Sequence, residues 1–173
     1  MTDLSEPATL VWPTTDVRES YLSGERADCI ARGTPTEWLG PAGDDFDAFV
    51  EERRGVRTRW DVPSTIFWYV SGTHYIATLV IRHQLTPALT DLGGHVGYHV
   101  VAPWQRKGHA TRMLAAGLVE CRRLGLDRIL LTCAHDNEPS RRVIVANGGV
   151  PDAQVRGEDR FWISLEPRAR SAR

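Results

Sequence analysis

The chain has 173 residues, enough for one domain with a substantial core that needs neither disulfides nor metals. Its content of 42% hydrophobic and 25% charged residues is typical of a globular enzyme, and a formal net charge of -1 argues against a protein whose main task is to bind nucleic acid. The three cysteines (Cys29, Cys121 and Cys133) are odd in number and form no Cys-x-x-Cys pair, so the sequence indicates neither a disulfide framework nor a zinc site. Neither a leader-like N-terminus nor an apolar run of membrane-spanning length is present, and we therefore expect a cytoplasmic protein.

The first third of the chain predicts a strand, a helix and a loop. A short strand at 10–12 precedes a helix that Thr14 or Asp16 can cap and that runs to Arg32. Residues 33–43 are rich in Gly, Pro and Thr, which indicates a loop inside the same domain.

A second helix follows, with Asp44 or Asp45 as its cap. Its charged residues at 51–54 predict a solvated face. Its apolar face consists of Phe46, Phe49 and Val50. Trp38, Phe46 and Phe49 belong either to the core or to the lining of an acceptor pocket.

The middle of the chain predicts strands. The β-branched and aromatic runs 65–70 and 75–81, separated by 71–74, are typical of a β-hairpin. A loop at 84–91 leads to a strand at 93–101, whose glycines suggest a bend or a bulge.

An amphipathic helix is predicted at 109–124. The residues on its apolar face are Ala110, Met113, Leu114, Gly117, Leu118, Cys121 and Leu124. A buried strand of parallel type at 128–133 follows, and then a helix that Asp136 or Asn137 caps and Gly148 ends.

Strands near 154–157 and 160–165 close the predicted domain. We expect a single domain over 1–166 and a disordered Arg-rich tail over 167–173.

The start of the 109–124 helix has the properties of an anion-binding site. No Ser, Thr, Asp or Asn precedes it as a cap, and Arg106 and Lys107 lie beside the positive end of its dipole, which is unfavourable unless an anion is bound there. Gly108 and Ala110 would let backbone amides approach phosphate oxygens. Lys107 is also the only lysine among 21 basic residues. The alternative is a solvated basic helix start.

These residues resemble a known family. Residues 105–110, Gln-Arg-Lys-Gly-His-Ala, are similar to the (Arg/Gln)-x-x-Gly-x-(Gly/Ala) signature of the GNAT superfamily of acyl-CoA-dependent N-acetyltransferases. Residues 130–140, followed by Asn-Gly-Gly at 147–149, resemble the next strand and the Asn-x-x-Ser/Ala helix of that family. The resemblance implies an α/β (α+β) fold with a mixed, mostly antiparallel sheet. It also implies that a central parallel strand pair splays to admit CoA, and that helices flank both faces of the sheet.

The resemblance implies acetyl-CoA as co-substrate, with no metal. The implied cofactor-binding residues are Tyr98, His99, Val100, Gln105, Arg106, Lys107, Gly108, His109, Ala110, Thr111, Asn137 and Ser140. For Asn137 the alternative is a plain helix cap, and one side chain could serve both roles.

The catalytic assignments are His99 and His135 as candidate bases, because an amine acceptor must lose a proton, and Tyr98 as a candidate acid. His83 and His95 are weaker candidates for the base. Many members of the family have a tyrosine that serves as the general acid seven residues after the Asn, where this chain has Ile144. That difference leaves Tyr98, Ser140, Cys133 or water as the substitute acid.

The sequence leaves several functional alternatives open. The leading hypothesis is direct acetyl transfer to an amine on a small molecule, an aminoacyl group or a protein, and the alternative is a non-catalytic acyl-CoA sensor. A ping-pong route through Cys133 and RNA binding by Arg53, Arg54, Arg57 and Arg59 are weaker hypotheses. No membrane partner is expected, and the protein is expected to be a monomer or a homodimer.

Overall fold

The computed structural model describes residues 4 and 6–165, so the tail expected at 167–173 lies outside the described residues. The strands within that part of the chain are β1 (Thr9–Val11), β2 (Val56–Arg59), β3 (Val62–Ser71), β4 (His74–Arg82), β5 (Val96–Val100), β6 (Arg128–Ala134), β7 (Val150–Val155) and β8 (Glu158–Ser164). The α-helices there are α1 (Arg18–Arg32), α2 (Gly40–Asp44), α3 (Phe46–Arg53), α4 (Pro87–Asp91), α5 (His109–Arg123) and α6 (Glu138–Ala146).

The strands form two antiparallel sheets. The larger sheet has the order β1-β3-β4-β5, and β2 pairs with β3 beside β1. The smaller sheet has the order β6-β8-β7. The expected α/β fold with mostly antiparallel strands is confirmed. Strand β6 was predicted to be of parallel type, and its hydrogen-bonded partner within its own sheet is the antiparallel strand β8.

The two sheets meet where β5 and β6 begin. The His95 N–H donates to the Leu130 carbonyl at 2.8 Å, and the Leu130 N–H donates to His95 Nδ1 at 3.0 Å. The Tyr98 hydroxyl of β5 also contacts Ser140 of α6, the helix that follows β6. The space between β5 and the segment formed by β6 and the start of α6 is called the cleft below.

Gly94 determines how closely the sheets approach. Its φ is 60°, and a Cβ atom there would lie 2.3 Å from the Leu130 carbonyl oxygen. Only glycine fits this left-handed position against another backbone. Two of the glycines expected to form a bend or bulge, Gly93 and Gly94, therefore form a tight turn before β5, while Gly97 lies within β5 and the β4/β5 register is regular.

Helices cover both faces of the larger sheet. The hydroxyl of Tyr75 in β4 contacts Glu25 of α1, and Leu79 of β4 packs against Gly117 of α5. Because Leu79 pairs with Tyr98, helix α5 covers the Tyr98 face and α1 covers the His99 face. The predicted apolar face of α5 is buried from Met113 to Cys121, half-buried at Ala110 and exposed at Leu124.

Several predicted boundaries are confirmed. Thr14 accepts from the Asp16 N–H at a 3₁₀ turn that leads into α1, and Asp45 caps α3 by accepting from the Ala48 N–H. Asn137 caps α6. The predicted hairpin is β3 and β4.

Several short elements were not predicted. The expected loop 33–43 contains a 3₁₀ turn and α2, and the expected loop 84–91 contains α4. In both cases proline at the first helical turn favours the helix, at Pro41 and Pro87. Strand β2 was missed because its Val-Arg-Thr-Arg sequence is that of a charged edge strand.

Candidate active site

The start of α5 presents backbone amides in an unusual conformation. Arg106 and Gly108 have positive φ angles of 64° and 76°, and no side chain caps the helix. The first backbone hydrogen bond of α5 runs from the Arg112 N–H to the Gly108 carbonyl at 3.3 Å. The preceding N–H groups are therefore available to an anion, in the way that turn and helix amides cradle phosphates.

Three cationic residues, Arg106, Lys107 and Arg112, belong to this loop and the first turn of α5. Lys107 Nζ donates to the Pro103 carbonyl at 3.0 Å and lies 4.8 Å from the centroid of the Trp104 ring. Arg112 donates to the Lys107 carbonyl at 3.0 Å. Together with Arg106, these charges add to the positive end of the helix dipole, and a bound anion would offset their repulsion.

His109 is buried below this loop and packs edge-on against Trp104. Burial, with Arg112 and Lys107 nearby, lowers the pKa of His109 below its ordinary value, so its ring is neutral at physiological pH. Only the main chain of His109 is available to a ligand at the helix start.

The remaining predicted cofactor residues of this loop contact neighbouring elements. The Gln105 side chain donates to the Val100 carbonyl at 2.8 Å and so connects the loop to the end of β5. Ala110 packs against the core, and the Thr111 carbonyl accepts from Asn147 at the end of α6. Gln105, Ala110 and Thr111 therefore also have structural contacts that fix the loop and α5.

The cleft is lined by Tyr98 and the first turn of α6. The Tyr98 hydroxyl lies 2.8 Å from Ser140 Oγ, and Asn137 Oδ1 accepts from the Ser140 N–H at 3.1 Å. Burial raises the pKa of Tyr98 to about 12. A phenol with that pKa is a poor proton source for a thiolate whose conjugate thiol has a pKa of about 8.5, but it remains a hydrogen-bond donor.

His99 faces the opposite side of β5, toward α1. Its Nε2 lies 2.9 Å from Asp28 Oδ2, at an angle that is poor for a linear hydrogen bond. Asp28 is almost completely buried and accepts from the Ala102 N–H at 3.1 Å. Glu25, one helical turn earlier, is buried against the Tyr75 hydroxyl at 2.6 Å.

The other candidate histidines lie apart from this cluster. His83 contacts Thr65 at 2.9 Å, and His95 accepts from Leu130 at the junction of the sheets. His135 is exposed and contacts Asp159 at 3.0 Å. The structure thus places His99 and His135 in separate networks.

Sequence reasoning missed Glu25 and Asp28. Both occur in the predicted first helix at the spacing of one face, with Tyr21 and Gly24, and that spacing was the available signal. The metal-ligating atoms of Glu25, Asp28 and His99 lie within 4.8 Å of one another, close enough for a divalent cation. Arg32 lies 3.4 Å from Asp28 Oδ2, however, and its positive charge opposes a cation there.

Comparison with known proteins identifies the family. A family model described as an acetyltransferase (GNAT) domain matches residues 36–150, more than half of the chain. The chain belongs to the GNAT acetyltransferase family. It is thus an acyltransferase, and the expected family is confirmed. Glu25 and Asp28 lie outside the matched residues.

Solved structures of acetyltransferases share the fold. RimJ from Mycobacterium smegmatis, in complex with CoA-disulfide, is 21% identical with a TM-score of 0.60 over 85% of this chain and 78% of that chain. The GNAT domain of S. lividans PAT is 19% identical with a TM-score of 0.62 over 91% and 90%. The putative acetyltransferase yncA from Salmonella typhimurium, with its cofactor acetyl-CoA, is 15% identical with a TM-score of 0.56 over 94% and 96%. At these identities the likeness establishes the fold alone.

Two further searches, one among curated protein sequences and one for membrane-spanning helices within the described residues, gave no match. No curated protein sequence matches this chain. Within residues 4 and 6–165, none of the helices is both long and apolar enough to cross a membrane.

Proposed function

We propose that this acyltransferase transfers an acetyl group from acetyl-CoA directly to an amine, in a ternary complex of enzyme, cofactor and acceptor. The observation that supports this most strongly is the start of α5, where uncapped amides and three cationic residues, Arg106, Lys107 and Arg112, follow the carboxyl end of β5. The pyrophosphate of acetyl-CoA has the charge and the acceptor oxygens for that position. The structural neighbours RimJ, in complex with CoA-disulfide, and yncA, with acetyl-CoA, support the same cofactor.

The cofactor would lie along the cleft, with the pyrophosphate on the amides of residues 106–111. The pantetheine arm would pass between the main chain of residues 98–100 and the first turn of α6, where Asn137 and Ser140 lie. Side chains of Arg106 and Lys107 would neutralise the pyrophosphate. Backbone N–H groups of β5 would stabilise the oxyanion that forms on the thioester carbonyl.

The chemistry needs a base and a leaving group. The acceptor nitrogen attacks the thioester carbon, the C–S bond breaks, and CoA leaves as a thiolate while the new amide nitrogen loses a proton. We assign the base to His99, because a third of its side chain is exposed while Asp28 contacts its buried nitrogen. Tyr98 would donate a hydrogen bond to the departing sulfur rather than transfer a proton.

One observation favours the alternative of a non-catalytic acyl-CoA sensor. Ile144 occupies the position where many members of the family have a tyrosine as general acid. Its side chain is fully buried and has no proton to donate. A sensor would bind acetyl-CoA without releasing thiol.

Calorimetric titration with acetyl-CoA, followed by a thiol-release assay over a broad amine panel, tests the proposal. The variant Arg106→Gln/Lys107→Gln should lose about 1 kcal/mol of binding free energy for each charge removed. Its affinity for acetyl-CoA should therefore fall about tenfold to thirtyfold. The control Arg123→Gln/Arg142→Gln removes two exposed cations that pair with glutamates elsewhere, and it should bind normally.

Binding without thiol release from any amine would favour the sensor. If the natural protein does not bind acetyl-CoA, or if both double variants bind equally well, the cofactor site is wrongly placed.

A further inference from the structure

We propose that Asp28 is a positioning residue that fixes the tautomer of His99, so that His99 Nδ1 is the atom that takes the proton from the acceptor amine. This inference rests on the proposed function for its catalytic meaning. Asp28 itself would touch neither acetyl-CoA nor the acceptor. It would act only through the imidazole ring.

The two oxygens of Asp28 have different partners. Oδ1 accepts from the Ala102 N–H at 3.1 Å and from Gln105 at 3.4 Å, so it helps to hold the segment that leads to α5. Oδ2 faces His99 Nε2 at 2.9 Å and Arg32 at 3.4 Å. Oδ1 therefore makes the contacts to the segment before α5, and Oδ2 is shared between the histidine and the exposed Arg32.

The chemistry of the pair determines the tautomer. An ionised carboxylate only accepts hydrogen bonds, so the nitrogen that faces Asp28 must carry the hydrogen. In a neutral imidazole the other nitrogen, Nδ1, then has the lone pair. Nδ1 of His99 makes no hydrogen bond with the described residues, and 36% of the side chain is exposed, so this lone pair is free for an acceptor.

The contact between His99 and Asp28 is not linear. Contacts of this kind are often poorly aligned without substrate and become shorter and straighter in the substrate complex. A rotation of the ring that straightens this contact would leave the direction of the hydrogen bond unchanged.

Several elements contribute charged and polar groups around the pair. Helix α1 contributes Asp28, Glu25 and Arg32, strand β4 contributes the Tyr75 hydroxyl, and the segment after β5 contributes the uncharged Gln105. Burial is the main cause that raises the pKa of Glu25, which favours its neutral form and limits the negative charge near His99. Arg32 opposes the charge of Asp28 from the exposed side.

The first measurement is nitrogen NMR of His99 in the natural protein. We expect a protonated Nε2 and an unprotonated Nδ1 at neutral pH. In Asp28→Asn the amide oxygen can still accept from Ala102, while its NH2 group faces Nε2, so the proton should move to Nδ1. The control Arg32→Gln should keep the natural tautomer. A natural protein with the proton on Nδ1 would overturn the proposal, whether or not the variant folds.

The second measurement is a kinetic cycle with Asp28→Asn, His99→Gln and the double variant. Asp28→Asn should lower kcat about a hundredfold or more and leave the acetyl-CoA Kd within about twofold. In the His99→Gln background, Asp28→Asn should lower kcat less than twofold, because the imidazole through which Asp28 acts is already absent. If the fold-losses of kcat in the two single variants multiply in the double variant, Asp28 acts independently of His99 and the proposal is overturned.

The two measurements separate this inference from the proposed function. If the natural protein releases no thiol with any amine, direct acetyl transfer fails, and the NMR result still decides whether Asp28 sets the tautomer. If thiol is released and the tautomer does not depend on Asp28, only this inference fails.

Discussion

Gly94→Ala should open the junction between the two sheets. The new Cβ would lie 2.3 Å from the Leu130 carbonyl oxygen, and neither backbone can yield without moving a strand. The left-handed φ of 60° costs alanine about 1 to 2 kcal/mol. The two hydrogen bonds between His95 and Leu130, each worth about 1 kcal/mol, would be lost as β6 moves away. The free energy of unfolding should therefore fall by about 3 to 4 kcal/mol.

A matched control isolates the clash. Gly72 also has a positive φ, 52°, but a Cβ there meets nothing within 4 Å, so Gly72→Ala should cost only the backbone term of about 1 to 2 kcal/mol. Urea unfolding measures both variants, and in thermal unfolding the Tm of Gly94→Ala should lie about 4 to 8 °C below that of Gly72→Ala. Acetyl-CoA affinity should fall only in Gly94→Ala. Equal destabilisation of the two variants would refute the tight approach of β5 to β6.

Three further substitutions or conditions test the site and the junction. Arg106→Asn should raise the free energy of unfolding by about 0.5 to 1 kcal/mol in urea, because asparagine adopts a φ of 64° more readily, while acetyl-CoA affinity falls several-fold; a less stable variant would contradict this. Burial lowers the pKa of His95 from 6.5 to about 4, and the neutral ring accepts from Leu130, so stability should decline as pH falls from about 6.5 to about 4, with a shallower slope in His95→Gln. Tyr98→Phe should lower kcat less than tenfold, and a hundredfold loss would mean that Tyr98 does transfer a proton.

Local signals in the sequence predicted the part of the site that depends on local backbone. The start of α5 is recognisable because its missing cap, its glycine and its cations are adjacent in the chain. The cap at Asn137 and the β3–β4 hairpin are local in the same way. Each of these features depends on residues only a few positions apart, so a sequence window contains the whole cause.

The buried acids of α1 could not be predicted in this way. Asp28 is stabilised by the Ala102 N–H and by His99, more than 70 positions later in the chain, and Glu25 is stabilised by Tyr75. In sequence alone, two acids on a helix with few apolar residues indicate a solvent-exposed face. Only tertiary contact turns them into buried partners of a histidine.

The packing of Ile144 has an evolutionary consequence. Its side chain is fully buried, and a Cβ on Gly149 would approach it to 2.5 Å, so the space around it is full. A tyrosine at this position would overpack the core at a cost of about 1 to 3 kcal/mol. A single substitution therefore cannot easily restore the tyrosine found in many relatives.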